Sequence, residues 1–286
     1  MILSSRLFYL KALWGNFMSI FQAIILGAVQ GLAEFLPISS SGHLAIVEYF
    51  FKQEDLPILF DILLHVATLA AVCTVFAKKI AGLFCVLGRF IIRKSKDEDK
   101  GDLMMIAAII LATAVTGIIG LLLKDWVKNI DIRIIPLCFI ITGLLLIASS
   151  KIKCKKTSKD INIIMAAITG LAQGIGVIPG ISRSGSTISA SLLTGLDREK
   201  AGEFSFLLSI PAILAAFILE LKSADNLLAG VSLTALIAGM ISAFIVGYFS
   251  LRFLLGLIKK GKLIYFAFYL IPLGIGLSVY FWGFAG

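Results

Sequence analysis

Residues 27–44 read GAVQGLAEFLPISSSGHL, and residues 170–187 read GLAQGIGVIPGISRSGST. The two stretches align without a gap at an offset of 143, half of the 286-residue chain. Seven of the 18 positions are identical: Gly27/Gly170, Gln30/Gln173, Gly31/Gly174, Ile38/Ile181, Ser39/Ser182, Ser41/Ser184 and Gly42/Gly185. Identity at that density and at the half-length offset reads as an internal repeat rather than a chance likeness of small-residue segments. Downstream, Asp61 before one apolar span is echoed by Glu203 before another.

The surroundings of the repeat are apolar. Hydrophobic residues make up 59% of the chain, charged residues 15%, and mean hydropathy is +1.01. A soluble domain carries about 25% charged residues. These numbers exclude a soluble enzyme, a disordered protein and a small disulfide domain, and indicate a polytopic helical membrane protein. The 26 Lys+Arg against 17 Asp+Glu give a net charge of +9. In such a chain basic residues mark cytoplasmic loops, so no nucleic-acid partner is expected. Cys73, Cys85, Cys138 and Cys154 show neither metal-ligand spacing nor a disulfide framework. Arg6 and Lys11 interrupt the N-terminal stretch, so a cleavable signal is not expected.

Uncharged runs mark five spans at 103–123, 134–150, 204–219, 226–251 and 263–286. A sixth, from 61 to 77, is expected to continue past Lys78 and Lys79 toward Gly88, with the lysines snorkelling. Three basic loops, at 89–100, at 151–159 and at Lys259, Lys260 and Lys262, are placed in the cytoplasm. The mixed-sign loops at 124–133 and 220–225 suit the outside. This walk makes 160–194 enter and leave on the inner side, as a re-entrant pair of short helices broken at Pro179 and Gly180. Residues 17–51 form the matching pair from the outer side. Each half, about 17–150 and 160–286 of one membrane domain, then holds one re-entrant pair and three spans. The expected fold is an all-α, polytopic, inverted-topology repeat: six transmembrane helices plus two pairs of re-entrant helices that meet near the midplane. Irregular backbone at membrane depth survives only within protein or along a wet cavity, which places a site at the two breaks.

Ionisable residues inside a membrane are costly and mark function by default. Glu34, His43, Asp61, Arg183 and Glu203 qualify. Around the second break, a tight turn precedes Ser182, Arg183, Ser184, Gly185 and Thr187 at a helix start. Backbone N–H groups, hydroxyls and a guanidinium there form an anion site. No acid lies within ten residues of Arg183. Its counter-charge therefore comes from a ligand, or from Glu34 or Glu203. Glu34 and Gln30, four apart, share a helix face; a carboxylate and an amide there hold a divalent cation or orient water, or Glu34 simply pairs with Arg183. Ser39, Ser40 and Ser41 followed by Gly42 and His43 offer a hydroxyl nucleophile and a base. The same serines and glycines also suit close helix packing. His65, four after Asp61 in a span, is read as structural. Together these parts describe a phosphate-ester or diphosphate hydrolase with a lipid substrate. The alternative is a polyprenyl-phosphate flippase or transporter, which needs the anion site but no nucleophile.

QGLAEFLPISSSGH, from Gln30, resembles the [E/Q]-x-x-x-E motif and serine–histidine segment of the undecaprenyl-diphosphate phosphatase, or bacitracin-resistance, family. PGISRSGST, from Pro179, resembles its P-G-x-S-R-S-x-x-T motif, and the EFSFLLSIP run from Glu203 is also similar. The likeness covers essentially the whole chain. It implies a bacterial, multi-pass cell-membrane enzyme that hydrolyses undecaprenyl diphosphate to the monophosphate plus phosphate. That activity recycles the lipid carrier for peptidoglycan and confers bacitracin resistance. The resemblance makes Glu34 a metal or catalytic carboxylate, with Gln30 where many members have glutamate. Ser40 and His43 match the proposed nucleophile and its partner. Arg183 matches the phosphate-binding arginine, with Ser182, Ser184 and Thr187 around it; Gln30, Ser39 and Ser41 join them as substrate-binding candidates. A divalent cation (Mg or Ca), a homodimer and a site opening outward are implied as well. A phosphoserine intermediate and a metal-activated water remain the two competing routes.

Overall fold

The computed structural model describes residues 18–51, 58–151, 158, 160–223 and 231–284. Arg6, Lys11, Cys154, Asp225, Asn226 and most of the basic loop at 151–159 lie outside the described residues. The described residues are helical, with a single isolated bridge between Ser158 and Leu196. A short pair comes first, α1 (Ile20–Phe35) and α2 (Ser40–Phe51). It is followed by α3 (Ile58–Val75), α4 (Ala77–Ile91), α5 (Lys100–Lys128) and α6 (Ile135–Ser150). A second short pair, α7 (Ile163–Ile175) and α8 (Arg183–Leu193), leads into α9 (Arg198–Ser223), α10 (Leu233–Lys259) and α11 (Ile264–Gly283).

Side-chain caps start several of these helices where the sequence supplies them. Ser19 and Gln22 form a reciprocal capping box on α1, Asn162 caps α7, and Ser232 caps α10. Each cap satisfies N–H groups that have no partner inside the helix.

Five helices, α5, α6, α9, α10 and α11, are long and apolar enough to cross a membrane. The chain is a multi-pass membrane protein. The sixth span expected across Lys78 and Lys79 is not one continuous helix, although α3 and α4 together are long and apolar enough to make a broken span. Instead α3 and α4 are bent by 79° at the one-residue break between them. Lys78 is exposed. Lys79 is tied to Asp102 at 2.6 Å and to Glu203 at 3.3 Å, and Glu203 also binds Lys200 at 3.0 Å. Ion pairing of this kind holds the start of α4 against the starts of α5 and α9, so the chain turns where the charges begin.

Helices bury small residues and turn large apolar ones outward, as lipid allows. Leu122, Phe84 and Phe253 are exposed, whereas Ala23, Gly27, Ala112 and Gly239 are buried. α1 packs along α10, α7 along α5, α6 on α11 and α3 on α9. The α1–α10 contact is backbone to backbone: a Cβ on Gly27 would lie 2.1 Å from the Gly239 carbonyl oxygen. Gly27→Val is therefore expected to destabilise the fold by about 1–3 kcal/mol or more. The check is a lowered thermal unfolding midpoint of the purified protein in detergent; an unchanged midpoint would refute the close approach.

Candidate active site

Both breaks interrupt a helix and start another a few residues later. Between α1 and α2, Ser39 takes φ +73, a left-handed conformation costing a non-glycine residue roughly 1–2 kcal/mol. Between α7 and α8, Gly180 takes φ +91, where glycine pays no such penalty. A Cβ there would also sit 2.5 Å from Cys138 Cβ. The strained Ser39 has a purpose in the packing: its hydroxyl accepts from Gly180 N–H at 3.1 Å and Gly42 N–H at 3.4 Å. The two breaks are thereby joined. α6 holds the second one in place, since the Thr142 hydroxyl donates to the Gly180 carbonyl at 3.0 Å and accepts from Ser182 N–H at 3.1 Å.

Glu34, near the end of α1, is the hub. Its Oε2 accepts from Ser40 Oγ at 2.7 Å and from Gln30 Nε2 at 3.1 Å. Its Oε1 binds Arg183 Nη2, from 149 residues away. The counter-charge of Arg183 is thus Glu34, not Glu203, whose partners are lysines. The Glu34 side chain is 5% exposed and that of Arg183 17%. Ser40 and Arg183 occupy the same position in the two halves, 143 residues apart. The repeat therefore brings a hydroxyl and a guanidinium to one carboxylate from two helix starts.

Arg183 is only half used. Its Nη1 is buried with no hydrogen-bond partner. A buried unmade donor costs about 1–3 kcal/mol, and more when charged. An acceptor from outside the chain satisfies it best, and an anionic oxygen suits a guanidinium.

The remaining hydroxyls divide. Ser182 caps α8, accepting from Gly185 N–H at 3.0 Å, and Ser184 Oγ lies 3.3 Å from Ser182 Oγ. Thr187 donates to the Arg183 carbonyl at 2.9 Å and bonds Ser205, bracing α8 on α9 rather than facing Glu34. Ser41 is half-buried next to Ser40.

His43 faces elsewhere. A carbonyl only accepts, so the 2.8 Å contact of Nδ1 with the Ser39 carbonyl places the proton on Nδ1. Nε2 then accepts from the Tyr269 hydroxyl of α11 at 2.8 Å. Among the described residues no hydrogen bond joins His43 to Ser40. His65, read from sequence as structural, instead reaches the hub: its Nε2 lies 3.4 Å from Glu34 Oε2. Asp61 lies against Glu48, and each leaves one buried oxygen without a hydrogen-bond partner. His65, Thr142 and Tyr269 fall outside both motifs. The only sequence signal for His65 is a titratable ring within a span.

Among the described residues no group of three or more His, Cys, Asp or Glu side chains is placed to hold a metal. Glu34 Oε1 accepts from Arg183, and Oε2 from Gln30 and Ser40. Oε1 keeps one open acceptor position beside the Arg183 guanidinium, and Glu34 is the one carboxylate there that would hold a cation, with Gln30 and Ser40 as neutral oxygen donors.

The profile of the bacitracin resistance protein BacA family matches residues 23–276. The chain belongs to this family. Members of the BacA family close to it in sequence include an undecaprenyl-diphosphatase of Treponema denticola, 88% identical over 94% of this chain and 100% of that protein. Another, from Alkaliphilus metalliredigens, is 44% identical over 90% of this chain and 97% of the relative. A third, from Carboxydothermus hydrogenoformans, is 41% identical over 92% and 97%. Both motifs lie inside the matched region.

Proposed function

We infer that this BacA-family chain is an undecaprenyl diphosphatase, releasing inorganic phosphate from undecaprenyl diphosphate and returning the monophosphate carrier. The observation that carries the reading is the convergence on Glu34 of Ser40 Oγ–H and an arginine with a buried, unpartnered Nη1. The names of the relatives supply the substrate. Arg183 Nη1 takes an oxygen of the terminal phosphate. Ser40 Oγ then attacks that phosphorus while its proton passes to Glu34 Oε2. The bond from phosphorus to the bridging oxygen breaks, and the electron pair leaves with undecaprenyl phosphate. Water hydrolyses the phosphoserine, and Ser40 regains a proton. Arg183 and the first N–H groups of α8 balance the charge that spreads over the phosphoryl oxygens. Gln30 keeps the Glu34 carboxylate in place, and Ser39 keeps the two breaks together.

The architecture we propose is the inverted repeat with two re-entrant pairs. Two facts support it: α1 and α7 are too short to span, at 16 and 13 residues, and the α1–α10 contact corresponds to α7–α5 when the halves are exchanged. Residues 17–150 and 160–286 are its halves. In this reading the basic loops are cytoplasmic by the positive-inside rule, and the site opens outward, where the family's carrier is released as the diphosphate. Cysteine placed at Lys155 is expected to react with a membrane-impermeant maleimide only after cells are opened; labelling of intact cells would reverse the orientation.

The test of the activity is phosphate release from C55 or C15 prenyl diphosphate by purified protein, with and without EDTA. Release supports the phosphatase. Its absence from monodisperse protein, together with transport of polyprenyl phosphate in liposomes, would replace it with the flippase.

A further inference from the structure

We propose that α4 is not the second part of a span but an interfacial helix. It lies in the plane of the membrane surface, and its basic edge holds the phosphates of anionic phospholipids. The proposal is independent of the phosphatase reading above.

α3 by itself crosses the bilayer. Its 18 residues rise about 27 Å at 1.5 Å per residue, against a hydrocarbon core of about 30 Å. The chain then bends by 79° at Phe76. Spanning helices tilt by about 20° on average, which brings α4 within about 30° of the membrane plane. Both of its ends are tied down. In the first turn Lys79 bonds Asp102 and reaches Glu203, and in the last turn Arg89 bonds Asp99 at 2.9 Å. Asp99 and Asp102 belong to the start of α5, and Glu203 lies in α9. Ion pairs with two other helices therefore fix the bend.

The residues of α4 sort by side as an interfacial helix requires. Leu83 and Val86 are buried against the rest of the protein. Phe84 and Ile91, seven apart and so on one line of the helix, are each 69% exposed. Lys78 and Arg89, eleven apart, share a second line about 140° from the first. Arg93 continues that basic line just past the helix end. A basic edge opposite an exposed apolar one is the pattern of a helix lying in the headgroup boundary. Were α4 to run on through the bilayer, Lys78 and Arg89 would sit about 16 Å apart in depth. One of them would then be carried into hydrocarbon, where a cation is costly. In the membrane plane both stay at headgroup level.

The charges left over name the occupant. Arg89 is taken by Asp99, and Lys100 takes Asp97 at 2.9 Å. Lys78, Arg93 and Lys94 are exposed and make no ion pair among the described residues. Phe84 and Ile91 meet acyl chains, while the three cations meet phosphates of the same lipid layer. A zwitterionic headgroup brings no net charge to them, whereas an anionic one does, so charge complementarity selects the anionic lipid.

Two measurements on the full-length protein test this, in vesicles of equal parts phosphatidylcholine and phosphatidylglycerol. In the first, a nitroxide is placed by A77C, F84C or I91C after the four native cysteines are replaced by alanine. Its depth is read from relaxation by oxygen against a water-soluble nickel chelate. The three depths are expected to agree within about 10 Å, the most that the stated tilt allows over 14 residues. A steady change of about 20 Å from 77 to 91 is the result of a spanning helix and overturns the proposal. Shielding of F84C and I91C from oxygen, as beneath a second copy of the chain, overturns it too.

In the second, a fluorophore on Cys85, exposed on α4, is quenched by brominated phosphatidylglycerol or brominated phosphatidylcholine, with the other cysteines replaced by alanine. Phosphatidylglycerol should quench more strongly. Its preference should fall about fivefold or more in K78Q/R93Q/K94Q, the weight of one basic group at an anionic surface. K124Q/K128Q, exposed near the far end of α5, should leave it unchanged. Equal quenching by the two lipids in the wild type, or an unchanged preference in the triple variant, overturns the lipid assignment. Neither readout involves phosphate release, so failure here and failure of the phosphatase reading are told apart.

Discussion

Arg183→Ala is expected to lower phosphate release by about 10³-fold or more, the scale of losing an arginine that meets the charge of a transferring phosphoryl group. The reason is twofold. Nη1 is the buried donor without a partner, and Nη2 holds the carboxylate that faces the nucleophile. Arg183→Lys should recover little, because an ammonium cannot serve Glu34 and a phosphate oxygen in the planar fork of a guanidinium. A stability cost accompanies the alanine variant: removing one partner of a buried ion pair leaves the other uncompensated, at about 3–5 kcal/mol. The double variant Arg183→Ala with Glu34→Gln separates the two effects. It removes the stranded carboxylate and should regain thermal stability while staying inactive. Wild-type rates in a folded Arg183→Ala protein would remove the arginine from the site.

Ser40→Ala is the second large expectation. If Ser40 Oγ is the nucleophile, its removal costs about 10⁴-fold or more in kcat, with substrate binding largely kept, because losing an attacking group leaves only the residual catalysis of positioning and charge. The neighbouring Ser39→Ala should behave differently. Ser39 bonds Gly180 and Gly42 rather than Glu34, so its loss lowers stability more than chemistry. Rapid acid quenching of wild-type protein with substrate labelled in the terminal phosphate should trap label on Ser40. A Ser40→Ala protein that retains a substantial rate, with no trapped label in wild type, would hand the attack to a water held by Glu34.

The spans and the breaks were legible in the chain. Long uncharged runs mark α5, α6, α9, α10 and α11, because a helix in lipid must be apolar along its whole length. The motifs at Gln30 and Pro179 located both breaks, since only helix starts and tight turns combine glycine, proline and hydroxyls so densely. The pairing of Glu34 with Arg183 stood there as one of several choices. The absence of any acid near Arg183 pointed to a distant partner without choosing it.

Other features were not legible. Lys78 and Lys79 look like snorkelling residues in a continuing span, yet Asp102 and Glu203 draw Lys79 aside and the chain bends by 79°. His43 follows the serines in sequence and is their expected partner. Yet Tyr269, 226 residues away, takes its Nε2. His65, in an unremarkable span, is brought to Glu34 by the packing of α3 on α1. Hydrophobic runs, caps and turns act within a few residues, so the sequence alone determines which segments are helices and where they break. Which side chain meets Glu34 depends on contacts between helices far apart along the chain, and only the tertiary packing decides them.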